Sequence, residues 1–318
     1  YASDTSFVTL TNSGTEVARL QLTHSNPVMK NNENRFLTYG IGSASYEISS
    51  FDETLYSGNA ENKIYTGDVA SNGTYCLVTE DNGYLTTLYA YSKNNNRIYK
   101  YSFSEYYITS VAINKDGSGC VATGVSSDKG SAVTGVYVLD FSQEKPVSTY
   151  KISGDSVLDC KYLTSDTAVL VGSQASYIVK KGEKNYKTVS YEDKTLSNYC
   201  FNTDTSTYTM ALSRSGDGRS VALISYNSNG EAQYTINTEH KADSLSVYKG
   251  TVAILDGNVV YGYNQNGDLL YSTNSGTGSK KIVLASDYTA YILSVNQIRF
   301  IDLDSVSSDD TAQTSKQE

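Results

Sequence analysis

Apolar and polar residues alternate along most of this chain, in short runs broken about every 8–12 residues by Asn-Gly, Asp-Gly or Lys/Asn-rich segments. The runs are rich in Val, Ile, Thr and Tyr, which is the pattern of half-buried β-strands joined by tight turns. Nowhere do apolar residues keep helical spacing for three turns, so an all-β fold is expected. The predicted strands group into longer units. One unit covers 64–70, turns at Ser71-Asn72-Gly73, runs through 75–80, turns at Asn82-Gly83, and adds 85–92 and 97–103. The next begins at Ile108, turns at Lys115-Asp116-Gly117, and continues through 120–125, 135–141 and 147–152.

Placing the first strand of each unit at Asn26, Ile64, Ile108, Val157, Asn198, Ser244 and Lys281 gives spacings of 38, 44, 49, 41, 46 and 37 residues. Four antiparallel strands per ~40–45 residues is the size of a propeller blade. Tyr56, Tyr99, Tyr150, Tyr234 and Tyr271 recur at matching places on the predicted fourth strands. The spacing therefore predicts a single β-propeller domain over residues 1–304 with seven four-stranded blades, followed by a polar, acidic tail over 305–318. A misplaced division between Val157 and Asn198 would change the count to six or eight. After Lys281 only three strands remain, at 282–286, 290–295 and 298–303. The segments 7–12 and 17–22, around Ser13-Gly14, look like the last two strands of a blade and are expected to close the ring there. Three strands plus two exceed the usual four, which leaves either a five-stranded last blade or one peripheral strand.

Composition narrows the partners. The 318 residues hold 25 Lys and Arg against 34 Asp and Glu, a formal net charge of −9 with no basic stripe, which argues against nucleic acid or anionic lipid. No run of ~18 apolar residues suggests a membrane-crossing helix within the chain. Tyr is the outstanding aromatic, 29 residues against seven Phe and no Trp, so tyrosines are expected to do most of the packing between blades.

Candidate chemistry is sparse. Cys76, Cys120, Cys160 and Cys200 are spaced by 44, 40 and 40 residues, one per repeat. Equivalent positions of neighbouring blades lie farther apart than the ~7 Å Cα limit for a disulfide, so four free, buried thiols are expected. No CxxC spacing points to zinc, and no metal or cofactor is expected. His24 and His240 fall where one blade passes to the next, and without a GxSxG elbow both are read as exposed loop residues. Gly276-Thr277-Gly278-Ser279-Lys280 lacks the full phosphate-loop motif and is followed by a strand, so it is read as a connector. Asn114-Lys115-Asp116-Gly117 and Asn264-Gln265-Asn266-Gly267-Asp268 begin like calcium loops without the closing Glu, and are read as tight turns. The blade tryptophans of quinone-dependent dehydrogenases, the boxes of sialidases and the tryptophans of WD repeats are all missing, and no catalytic residue is assigned. Paired carboxylates acting in a central depression stay open, because their spacing is spatial.

The strand, Asn/Asp-Gly turn and Tyr-bearing strand of Tyr261-Gly262-Tyr263-Asn264-Gln265-Asn266-Gly267-Asp268-Leu269-Leu270-Tyr271 resemble the outer half of a propeller repeat, as do Ser225-Tyr226-Asn227-Ser228-Asn229-Gly230-Glu231. Over nearly its whole length the chain is similar to an uncharacterised family of extracellular, membrane-anchored propellers of Gram-positive bacteria. The resemblance implies a place outside the cytoplasm and an anchor upstream of Tyr1, with which the non-Met start agrees; it supplies no activity and no functional residues. The expected function is a monomeric binding or scaffold module that presents a propeller rim to a protein or glycan of the cell envelope. The alternative is a carbohydrate-active or other hydrolytic enzyme using central carboxylates. Tyr106 and Tyr107 fall in a connector, a poor place for core packing, and are the candidate binding residues.

Overall fold

A computed structural model describes residues 1–214 and 219–303; the expected tail at 305–318 lies outside the described residues. All regular elements among them are β-strands. Six successive segments each fold into a four-stranded antiparallel meander. The first sheet is Pro27–Asn32, Arg35–Gly40, Ser45–Ser49 and Thr54–Asn59, and the second Ile64–Val69, Tyr75–Thr79, Thr86–Tyr91 and Arg97–Phe103. The third is Tyr107–Ile113, Gly119–Asp128, Ser131–Asp140 and Ser148–Ser153, and the fourth Val157–Tyr162, Thr167–Gly172, Ala175–Lys180 and Lys187–Ser190. The fifth is Thr195–Asn202, Thr207–Ser213, Val221–Asn227 and Ala232–Thr238, and the sixth Ser244–Tyr248, Thr251–Asp256, Val259–Tyr263 and Leu269–Asn274. Each first strand begins within three residues of its expected start, and all five recurrent tyrosines lie on fourth strands.

The chain ends differ from expectation. Ser6–Leu10 and Glu16–Gln21 form a two-stranded sheet, with Ala2 bridged to Phe7, while Ser279–Leu284, Thr289–Ser294 and Ile298–Asp302 form a three-stranded sheet of their own. A ladder uniting them in one blade is not among the strand pairings of the described residues. The chain also divides into two compact units, one made of 1–11 and 16–190, the other of 12–15 and the residues from 191 onward.

Within the first unit, the first strands of successive sheets lie side by side, and the core fills the seams between sheets. Successive side chains of a strand point to opposite faces, so a middle strand serves two seams. Along Tyr75–Thr79, Tyr75 and Leu77 pack against Leu37, Tyr39 and Tyr46 of the first sheet. Cys76 and Val78 pack against Ile108, Val111 and Cys120 of the third. This is why the middle strands read as near-continuous apolar runs while the fourth strands alternate with exposed positions. Each fully buried Val or Leu contributes about 1.5–3 kcal/mol. Tyrosine fills the places of larger aromatics. Tyr46 and Tyr75, both buried, meet hydroxyl to hydroxyl at 3.0 Å across one seam, and Tyr75 donates to Asn95. The four cysteines are unpaired, three of them buried in these layers.

Polar side chains fasten the seams. A first strand is a sheet edge, and its outward N–H groups need acceptors. Thr86 accepts from Ile108 N (3.4 Å), and its repeat-equivalent Thr134 accepts from Val157 N (3.1 Å). In the second unit Ser244 and Ser246 accept from Ile282 N (3.2 Å) and Leu284 N (3.0 Å) in the same manner. A second recurring device is a register shift near the start of the first strand, leaving one extra residue: Tyr65, Thr109 and Leu158 in the first unit, Ser197 and Lys280 in the second. All five are exposed.

Asp155, in the connector before the fourth sheet, is buried and gathers donors around the turn at Ser173. It accepts from Ser173 N (2.8 Å), Ser173 Oγ (2.6 Å), Gln174 N (3.1 Å), Ala175 N (3.2 Å) and the Tyr177 hydroxyl (2.8 Å). A Cβ at Gly172 would collide with this carboxylate, so only glycine fits there. Asp155→Ala strands these donors and is expected to lower stability by about 3 kcal/mol, read as a shifted urea midpoint at constant m. A loss under ~1 kcal/mol would contradict the assigned role.

Candidate functional site

Tyr106 closes the connector between the second and third sheets and lies on the face of the third. A cross-strand pair of glycines, Gly124 and Gly135, leaves room for its ring, and a Cβ at Gly135 would come within 2.5 Å of it. The ring then stands edge-on to Tyr137, centroids 6.1 Å apart, and Tyr137 continues into Phe103 (4.9 Å) and Tyr101 (6.0 Å). Together these rings border a groove of about 500 Å³ between the second and third sheets, with Ser102, Ser104, Glu105, Val136, Thr149, Tyr150 and Lys151. Of the two residues singled out in the sequence, Tyr106 is half-buried in this wall. Tyr107 is 54% exposed and stands outside the lining. Burial and the nearby Glu105 push the Tyr137 hydroxyl up to about 12, so it stays protonated at neutral pH. Lys151 pairs with Asp128 at 3.1 Å.

The inner strands of the first unit carry a second polar cluster. Asp68, 2% exposed, accepts from Ile113 N at 2.9 Å and faces Lys161 Nζ at 3.9 Å. Asp159 accepts from Ser110 Oγ (3.0 Å) and faces Lys30 Nζ at 3.8 Å. Lys30 belongs to the first sheet and Asp159 to the fourth, so the pair spans two intervening first strands. Burial alone would lower Lys30, but Asp159 and Asp68 outweigh it and hold the ammonium above its ordinary range. Cys160, beside Ser110 at 3.3 Å, is buried, which pushes its thiol up to about 12 and leaves it a poor nucleophile. Both carboxylates are thus engaged by a lysine and a hydrogen bond, an arrangement suited to bracing.

His24 differs from the exposed residue expected. Its loop folds back on the first sheet: Thr23 donates from N (3.0 Å) and Oγ1 (2.9 Å) to buried Glu47, and Asn26 N donates to Asp4 (3.0 Å). The imidazole is left 5% exposed, with neither ring nitrogen hydrogen-bonded. His240 is half-buried, stacked on Tyr261 at 3.5 Å with Nδ1 3.7 Å from Asp256. The two Asn-led segments are tight turns, Asn114 and Asn264 accepting from Gly119 N and Asp268 N at 3.0 Å each. Residues 276–280 lead directly into the strand Ser279–Leu284. Sequence reasoning missed Lys30, Asp68, Asp159 and Lys161, and it missed Tyr101 and Tyr137 beside Tyr106; their partners are distant in sequence.

Residues 1–303 match the sequence profile of a family of unknown function (DUF5711). No curated protein matches the chain in sequence. Among solved structures, the C-terminal WD40 domain of Sif2 aligns with TM-score 0.60 at 15% identity, covering 85% of this chain and 78% of that one. Kluyvelomyces marxianus Hsv2 aligns with TM-score 0.59 at 10% identity, over 89% and 100%. A KlHsv2 variant with loop 6CD replaced by a Gly-Ser linker gives 0.57 at 12%, over 89% and 93%. The fold is therefore of the WD40 β-propeller kind, although the tryptophans of WD repeats are absent.

Two substitutions test these assignments. Lys161→Met leaves buried Asp68 without its counter-charge and is expected to cost about 3 kcal/mol in urea unfolding, most of it recovered when Asp68→Asn is added. Equal losses in the single and double variants would break the link. Burial lowers the folded-state pKa of His24 more than Glu47 raises it. Its contribution to stability is therefore present above the unfolded value of about 6.5 and declines as pH falls from there toward the folded value. His24→Leu is expected to flatten the urea midpoint between pH 7 and 5 relative to wild type; superimposable profiles would rule the effect out.

Proposed function

The chain belongs to the DUF5711 family of unknown function, and on that premise we propose that it is a non-enzymatic binding or scaffold module whose partner is held at the rim beside Tyr106. The observation that carries this reading is the groove itself: aromatic rings from two sheets and a connector converge on one opening, set among polar side chains. Its volume falls within the ~300–1,000 Å³ of ligand sites. Likeness to the WD40 fold supports an interaction role. The engagement of Asp68 and Asp159 by lysines supports bracing over acid–base catalysis at the inner strands.

The finer reading is a monomeric seven-bladed ring closed by the N-terminal strands, held outside the cytoplasm by a segment upstream of Tyr1, with a protein or glycan of the cell envelope as partner. The regular meander of six four-stranded sheets supports the repeat on which that count rests.

A glycan array and a pull-down from cell-envelope extract, comparing wild type with Tyr106→Ala/Tyr107→Ala, test the site. A ligand retained by wild type and lost by the variant is expected. Equal retention by both would dismiss this rim.

A further inference from the structure

We propose that the groove beside Tyr106 binds an uncharged oligosaccharide, an inference that rests on the binding-module reading and gives its ligand a chemical class. The groove offers two things at once. Its walls are tyrosine rings fixed by packing: Tyr106 on the Gly124–Gly135 pair, Tyr137 against Tyr106 and Phe103, and Tyr101 against Phe103 at 4.9 Å. Its polar groups are unspent. Among the described residues, the hydroxyls of Tyr101, Tyr106, Tyr137, Ser104 and Thr149 and the carboxylate of Glu105 form no hydrogen bond within the protein, although all of them line this one opening. Neighbouring groups behave otherwise: the Tyr150 hydroxyl is committed to Glu183 O at 2.6 Å and Thr87 Oγ1 to Ser102 Oγ at 2.9 Å.

A sugar ring matches both features. Its C–H face is apolar and slightly positive, and settles on the negative face of an aromatic ring. Its hydroxyls each donate and accept, as do the five free hydroxyls of the groove. Ordering a tyrosine costs little side-chain entropy, and here the rings are already placed. Charge favours a neutral ligand: Glu105 lines the groove and Lys151 already faces Asp128 at 3.1 Å, so an acidic sugar would meet one carboxylate and a cation already shared with another. Size argues for an oligosaccharide over a folded protein. The opening, at about 500 Å³, has the volume of a small-ligand site rather than the extended surface of about 800 Å² that a folded partner covers.

The test is calorimetric titration of the full chain with neutral hexasaccharides of β-1,4-linked glucose, N-acetylglucosamine and mannose, and with oligogalacturonate as the charged contrast. Two variants accompany wild type. Tyr101→Phe/Tyr137→Phe keeps both rings and removes only hydroxyls that the fold does not use, so its melting temperature is expected to be unchanged; Tyr106→Ala removes a wall. At least one neutral sugar is expected to bind, with affinity reduced about tenfold or more in each variant. No binding by any neutral sugar, equal binding by wild type and the Phe variant, or preference for oligogalacturonate would overturn the proposal. A protein ligand lost by Tyr106→Ala, with no sugar bound, overturns it while leaving the binding-module reading in place. A ligand of either class that ignores Tyr106 removes both.

Discussion

The seams between sheets depend on one requirement: the outward N–H groups of each first strand need an acceptor. The first strand is an edge, and no ladder continues beyond it. Thr86, Thr134 and Asp68 in the first unit, and Ser244 and Ser246 in the second, supply oxygen atoms at those positions. Because each acceptor is a side chain from the preceding sheet, satisfying the donor also fixes the spacing between sheets. Hydrophobic burial supplies most of the attraction but has no direction. The buried Thr, Ser and Asp residues supply the register, which explains polar side chains within otherwise apolar layers.

Much of this was legible in the sequence. The strand period of two, the turn residues and the ~42-residue repeat located the first strands closely, because each is a local signal that tertiary contacts reinforce. The fourth-strand tyrosines were visible for the same reason. The chain ends were less legible: strand pairing between segments some 280 residues apart leaves no local mark, and the ends pair as separate two- and three-stranded sheets. His24 was misjudged because its exposure is set by a loop folding onto Glu47 and Asp4, not by the residues beside it.

The candidate site was half legible. Tyr106 was conspicuous as an aromatic in a connector. What makes it a wall, the Gly124–Gly135 pair beneath its ring, lies 18 and 29 residues downstream and reads in isolation as two strand-weakening glycines. Tyr101 and Tyr137 read as ordinary strand residues. The inner lysines and aspartates gave no signal, since Lys30 and Asp159 meet only after the two intervening first strands have been set by packing.

The extra residue near the start of five of the first strands has a consequence for how one strand serves two neighbours. In an uninterrupted strand, alternate residues keep to one face throughout. Inserting one residue exchanges the faces, so before Tyr65 an even-numbered side chain, Ile64, packs toward the first sheet. Beyond it the odd-numbered Val69 does so, while even-numbered Asp68 turns to the third sheet and receives Ile113 N. The same exchange occurs at Thr109, with Ile108 and Val111 both facing the second sheet and Ser110 meeting Asp159 of the fourth. A repeat that lost this single residue would keep its side chains on the same seams, because the partners of Thr79 and Val78 would simply become consecutive; one that kept the residue but straightened the strand would exchange them, turning Asp68 toward the first sheet and Val69 toward the third. The hand of such a strand's polarity is thus a matter of counting, and the odd residue left over is displayed to solvent in all five sheets that carry it.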